Sequence, residues 1–225
     1  METVIDLRKL PNMKDYAAWS YFGSGIEDKW DDFDDYFRYY MLAKQELAER
    51  LPEHAEYEMR QRFLYLIKLS QQDMPFGLME KAADKLYTNY CKNYYLGSFI
   101  HNDVLEMLPQ LKESYKLGIV SNFMVINGIE EMLEQHNIKS LFDFVITSVA
   151  EGWKKPHNAI YERALKKAGT DPKEVVFVGD DYINDYIAPK ELGMTTILLD
   201  RYNKHLDVPD RVTSFIDLKN LIDKM

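Results

Sequence analysis

The apolar positions of this chain follow two rhythms. In the first half they recur three or four residues apart: Phe33, Tyr36, Phe37 and Tyr40 make one stripe, Met59, Phe63, Leu66 and Ile67 a second, and Met79, Ala82, Ala83, Leu86 and Tyr90 a third. That spacing predicts amphipathic helices, with Pro52, Pro75 and Gly77 as punctuation between them. Trp19, Tyr21, Phe22 and Trp30 lie in the same region and are expected mostly to be core. From about residue 99 short, unbroken, β-branched runs take over, at residues 117–120, 144–147, 175–178 and 195–199. Helical patterns at 103–114, 125–136, 159–168 and 186–192 alternate with them. Continuous apolar strands separated by helices predict a parallel sheet covered on both faces. The chain thus reads as a short leading segment (1–12), a helical insert (13–98) and an α/β core (99–225).

Charge and composition narrow the function classes. The net charge of −9 argues against nucleic acid or an anionic membrane as a partner. A small phosphorylated molecule stays open, because local basic groups or a cation reverse the field at one site. The single cysteine, Cys91, excludes an intrachain disulfide and fits a reducing compartment. Its place among tyrosines in a helical stretch reads as a small buried hydrophobe. No apolar run is long enough to span a bilayer and no signal-peptide core is visible, so a cytoplasmic protein is expected.

The chemistry sits just after the runs. In an open parallel sheet, ligands bind at the carboxyl ends of the strands. Ser121-Asn122 follows the first run, Lys154-Lys155-Pro156 the second after a short loop, and Gly179-Asp180-Asp181 the third, with Asp185 close behind. A hydroxyl, an amide, a lysine and a carboxylate cluster therefore meet on one rim. Alone, each has a bland role: Ser121 or Asp181 as a helix cap, Lys155-Pro156 as a solvated charge before a helix's first turn. Together, in this order, they suit phosphoryl transfer. Carboxylates hold a hard cation such as Mg²⁺, and a lysine and a hydroxyl neutralise and orient phosphoryl oxygens.

This pattern resembles the haloacid dehalogenase superfamily. Residues 117–122 are similar to its second motif, 155–165 to its third, and 176–185, running on to Ala188 and Leu192-Gly193-Met194, to its fourth. The likeness implies a Rossmann-type α/β core with an inserted α-helical cap, the cap being the helical segment 13–98. It further implies a phosphatase that acts on a small phosphate monoester through an aspartyl-phosphate. Ser121, Asn122, Lys155 and Asp185 would be catalytic, and Asp180 and Asp181 would hold Mg²⁺.

One motif does not match. Family phosphatases open on a strand ending in Asp-x-Asp, followed by Gly or Glu, Thr and a hydrophobic residue, and no such run exists here. In one alignment Thr3-Val4-Ile5-Asp6, preceded by Glu2, is the tail of that motif, and the nucleophile lies upstream of Met1. In the other, Asp6 is the nucleophile, with Arg8 where a carboxylate belongs and Leu10 in place of the threonine. Either way full activity is unexpected, since an arginine does not release a proton at neutral pH. Two rival readings follow: a non-catalytic member that binds a phosphorylated ligand or a protein, and, within the fold, a metal-free 2-haloacid dehalogenase, which the acidic cluster at 180–181 argues against.

Overall fold

The computed structural model describes residues 2–225. They form two compact units: one holds the residues up to Asp6, Phe99–Phe123 and Ile129–Met225, the other Leu7–Ser98 and Met124–Gly128. The helical unit thus begins at Leu7, ahead of the boundary expected near residue 13, and takes in five residues that follow the Ser121-Asn122-Phe123 segment. A backbone bond from Arg8 N to the Gly97 carbonyl closes its two ends on each other. Where the chain passes between units, β1 (Asp6–Leu7) and β2 (Ser98–Phe99) make a two-stranded sheet.

The helical unit contains α1 (Met13–Tyr21), α2 (Phe33–Glu49), α3 (Met59–Ser70) and α4 (Phe76–Gly97). Each apolar stripe turns inward: Tyr36, Tyr40, Phe63, Leu66, Ile67, Ala83 and Leu86 are fully buried. Asn12 starts α1 with a capping box, its side chain accepting from the Lys14 and Asp15 amides while the Asp15 carboxylate accepts from the Asn12 amide. At the other end of α1 the carbonyls have no helical partner. The Asn89 side chain, reaching over from α4, donates to the Trp19, Ser20 and Phe22 carbonyls at 3.1, 3.2 and 2.8 Å. Tyr21 and Trp30 are core, as expected, whereas Phe22 is 57% exposed. No helix among the described residues is long and apolar enough to cross a membrane.

In the α/β unit four strands fall within a residue of the predicted runs, β3 (Gly118–Ser121), β4 (Phe144–Thr147), β5 (Val176–Gly179) and β6 (Thr195–Leu199), and a short fifth, β7 (Arg211–Val212), stands where no run was predicted. The helices are α5 (Asn102–Ser114), α6 (Gly128–Gln135), α7 (Ser148–Glu151), α8 (Asn158–Ala168), α9 (Ala188–Glu191) and α10 (Phe215–Ile222), with a π-helical turn over Tyr182–Ile187. All pairing among β3 to β7 is parallel, yet it makes two sheets where one was expected: β3 with β4, and β5 with β6 and β7. Among the described residues no strand pairs with the second edge of β3 or of β5. The residues at their amino ends, Gly118 and Val176, are exposed in consequence.

Apolar packing joins what the hydrogen-bond ladders do not. Ile146, Ile160, Tyr161, Ala164, Ala188 and Met194 form one buried cluster, with Val120 and Phe177 packed against it. Asp103 ties α5 to the carboxyl end of the chain, accepting from Arg201 at 2.9 Å and from the Phe215 amide at 2.7 Å.

Replacing Asn89 by Ala should leave the carbonyls that end α1 short of donors and destabilise the chain by about 1–3 kcal/mol. Urea denaturation of the wild type and Asn89→Ala reads this directly; an unchanged midpoint would show that water substitutes without cost.

Candidate active site

The site is built where β3 and β5 end. Lys155 follows the turn after α7, and its side chain is 7% exposed. Its ammonium donates to Asp185 Oδ1 at 2.6 Å and to the Val120 carbonyl, within β3, at 3.2 Å. A lysine has three protons to donate, so these two contacts leave one for a phosphoryl oxygen or an attacking carboxylate. Asn122 holds the Lys155 backbone from both sides: its Oδ1 accepts from the Lys155 amide at 2.7 Å and its amide nitrogen donates to the Lys155 carbonyl at 3.0 Å. Asn122 therefore acts on the lysine's placement.

Asp185 stands in the π-helical turn after β5, buried to the same degree as its partner lysine. Its second oxygen accepts from the Asp181 amide at 3.2 Å. The close approach of this carboxylate explains Gly179, because a Cβ there would coincide with the Asp185 side chain. Tyr161, fully buried, donates its hydroxyl to the Asn184 carbonyl at 2.5 Å and so pins the π turn from α8. Burial, reinforced by the Asp185 and Asp181 carboxylates, pushes the Tyr161 phenol well above its ordinary range, so it remains a donor.

Ser121, at the end of β3, is 2% exposed and its hydroxyl has no hydrogen-bond partner among the described residues. Buried hydroxyls are normally satisfied, so this one points to a missing polar group. The helix expected from residue 125 starts at Gly128, so backbone amides at a helix start do not follow Ser121 closely.

The acidic cluster divides its labour. Asp180 is half-buried; its Oδ1 accepts from the Thr3 hydroxyl at 2.7 Å, and burial raises its pKa despite that bond. Asp181 was expected to be a metal ligand, but its Oδ1 accepts from the Ile183 and Asn184 amides at 3.0 and 2.8 Å, capping the π turn. Asp185 is neutralised by Lys155. Among the described residues no group of three or more His, Cys, Asp or Glu is arranged to hold a metal ion. The side chains therefore do not fit a resident Mg²⁺: Asp180 is the carboxylate left for one, and it is shared with Thr3.

Thr3 is the site residue the motif reading did not single out, although it is the threonine of the first alignment. The second alignment needs Asp6 to attack, and the Asp6 carboxylate lies buried with Oδ2 3.1 Å from His101 Nε2. Arg8 and Leu10, the other two positions of that alignment, lie in the helical unit.

The model of the haloacid dehalogenase-like hydrolase family matches residues 32–199. The chain belongs to that family. Haloacid dehalogenase-like hydrolase domain-containing protein 3 of Danio rerio is 35% identical over 138 residues, 59% of this chain and 55% of its own length. The chain thus spans about half of that curated relative. Glyceraldehyde 3-phosphate phosphatase of Pyrococcus abyssi is 29% identical over 167 residues, 74% of this chain and 65% of its own length. In fold, the chain is similar to a 2-haloacid dehalogenase from Pseudomonas syringae pv. Tomato DC3000, at a TM-score of 0.82 and 16% identity, covering 100% of this chain and 95% of the other. A HAD phosphatase from Thermococcus onnurineus follows at 0.66 and 18%, covering 99% and 94%. The α/β class with a parallel core sheet is that of this hydrolase family.

Two outcomes follow from the buried pair. Lys155→Met should destabilise the chain by about 3–5 kcal/mol, because Asp185 is left charged and buried. Lys155→Met combined with Asp185→Asn should restore most of that loss, as neither partner is then stranded. Thermal and urea denaturation of the four-member cycle measures the coupling; additive losses would show that the two side chains do not depend on each other. Gly179→Ala should displace Asp185 and lower stability in wild type, with a smaller loss in the Asp185→Gly background, because the Asp185 Cβ is itself one of the atoms in the way.

Proposed function

We propose that this chain carries the phosphoryl-binding part of a hydrolase site for a small phosphate monoester, with little turnover of its own. The observation that carries the reading is the buried, unpartnered Ser121 hydroxyl beside a lysine that keeps one proton unspent. A phosphoryl oxygen satisfies both at once: the Ser121 hydroxyl donates to it, and Lys155 donates its remaining proton while offsetting the dianion's charge. Asp185 aims Lys155, and Asn122 fixes the backbone from which the lysine extends. This rigid, dry arrangement costs no reorganisation when charge develops on the phosphoryl group.

In the aspartyl-phosphate route a carboxylate attacks phosphorus, splitting one hard step into two easier ones. Asp180, Asp181 and Asp185 are each engaged, with Thr3, two helix amides and Lys155 respectively, and Asp6 faces His101. That supports impaired chemistry rather than a substitute nucleophile. Asp180 by itself would hold Mg²⁺ weakly, since this ion keeps most of its ligands as water when few carboxylates are present. The phosphatase names among the relatives, glyceraldehyde 3-phosphate phosphatase included, support a phosphorylated metabolite as ligand class.

The test pairs binding with turnover. Titration calorimetry with inorganic phosphate should show binding that Ser121→Ala weakens and that the Lys155→Met, Asp185→Asn double variant abolishes. Hydrolysis of p-nitrophenyl phosphate, with and without Mg²⁺, should run several orders of magnitude below ordinary enzyme rates of about 1–10³ s⁻¹. Turnover in that ordinary range, lost in Asp6→Asn, would overturn the impaired reading and make Asp6 the nucleophile. Phosphate binding without any measurable turnover would favour a ligand-binding role.

A further inference from the structure

Arg62, in the first turn of α3, is a buried cation without an anion. It is 6% exposed, and its partners are two phenols and a thioether. Nε donates to the Tyr57 hydroxyl at 3.0 Å and Nη1 to the Tyr40 hydroxyl at 3.1 Å. Nη2 donates to the same Tyr57 hydroxyl at 2.7 Å and to Met124 Sδ at 3.5 Å. Among the described residues no carboxylate forms a salt bridge with it. All four residues belong to the helical unit. The Met124 carbonyl accepts from the Met59 amide at 2.9 Å, which fastens Met124 beside the start of α3.

A guanidinium has five protons to donate. These contacts use four, one of them on a thioether, which is a weak acceptor, and leave one on Nη1 unspent. Each phenol accepts from Arg62 and, among the described residues, donates to nothing. Burial holds both phenols above their ordinary range, so both keep their protons. The cluster is rich in donors and has no charged acceptor. Arginine does not shed its charge, and a buried charge is costly unless paired. Tying Tyr57 to Tyr40 does not explain that cost, since a neutral glutamine would donate two bonds without it.

We propose that Arg62, Tyr40 and Tyr57 form a binding site for a monocarboxylate. The two oxygens of a carboxylate match the planar fork of a guanidinium. One takes the unspent Nη1 proton, and the other takes the Nη2 proton now resting on Met124 Sδ, whose flexible side chain yields. The phenol protons supply further donors. One buried cation balances one negative charge, whereas a phosphate dianion would bring a second, uncompensated charge into the same enclosure. Tyr57 and Met124 are partly exposed, so the ligand enters past them. The site lies wholly in the helical unit and does not rest on the phosphate reading.

The experiment follows the Arg62 side-chain N–H signals of the full chain by heteronuclear NMR during titration with sodium acetate, with ionic strength held constant by sodium chloride. Those signals should shift saturably, and acetate should raise the thermal denaturation midpoint relative to chloride, as a ligand of the folded state does. Arg62→Met should abolish the acetate-dependent rise. Arg62→Lys keeps the charge and loses the fork, and it should bind acetate about tenfold more weakly, the equivalent of one lost hydrogen bond. Arg62 signals that ignore acetate, or an equal acetate effect in Arg62→Met, would overturn the proposal. The titration uses wild type, so it decides the matter even where a variant does not fold. A response to the methyl phosphate dianion equal to that to acetate would overturn the carboxylate assignment. Phenolate absorbance in the folded chain at neutral pH would also overturn it, by showing that a tyrosine is itself the missing anion.

Discussion

One buried ion pair holds the α/β unit in register. Lys155 and Asp185 meet at 2.6 Å, and each is anchored to a different part of the divided sheet: the lysine to a β3 carbonyl, the aspartate to the π turn that follows β5. Among the described residues no ladder joins those two parts, so this pair and the apolar cluster around Tyr161 do so. Geometry elsewhere bends to the pair. Gly179 has no side chain because Asp185 occupies that space, Asn122 holds the Lys155 backbone through both its oxygen and its nitrogen, and Tyr161 fixes the turn from which Asp185 extends. Desolvating two charges is expensive unless their remaining hydrogen-bonding capacity is met, and here the Val120 carbonyl and the Asp181 amide meet part of it.

The acidic run shows how little a count of carboxylates says about a metal. Asp180, Asp181 and Asp185 lie within six residues, yet their partners are a threonine hydroxyl, two helix amides and a lysine. A carboxylate oxygen that caps a helix or pairs with a lysine is less available to a cation. Proximity in sequence brought these groups to one rim; what each does there was decided by the local turn and by a lysine thirty positions away in sequence.

The strands of the core were legible because a parallel sheet buried on both faces needs unbroken apolar runs, and residues 144–147 and 195–199 stand as strands over those same spans. The stripes of the helical unit were legible for the matching reason, and Tyr36, Tyr40, Phe63 and Leu86 are as buried as their spacing required. Ser121, Lys155, Asp180 and Asp185 could be named because each follows a strand. Asp181's capping role was not separable from ligation, since both favour an aspartate just after a strand. The π turn left no trace in the spacing, because Tyr182, Ile183 and Ile187 suit an α-helix equally well. The contact of Thr3 with Asp180 joins residues 177 apart, and no local pattern encodes such a pairing.

The divided sheet was the least legible feature and is the most consequential. Val175–Val178 and Leu117–Val120 read as fully enclosed strands, because every residue in them is apolar or Gly. In the structure Gly118 and Val176 are exposed, and Ile119, Val120, Phe177 and Val178 are partly so. A sequence composed for a two-neighbour position thus stands with one neighbour. Apolar side chains lose roughly 25 cal/mol for each Å² left in water, and backbone groups on an open edge invite pairing with whatever strand arrives. An edge meant to face solvent carries charges, prolines or bulges; residues 118–121 and 176–179 carry none of the first two. The composition of these two edges is that of a sheet interior, which is why the apolar runs predicted strands there and could not predict their open edges.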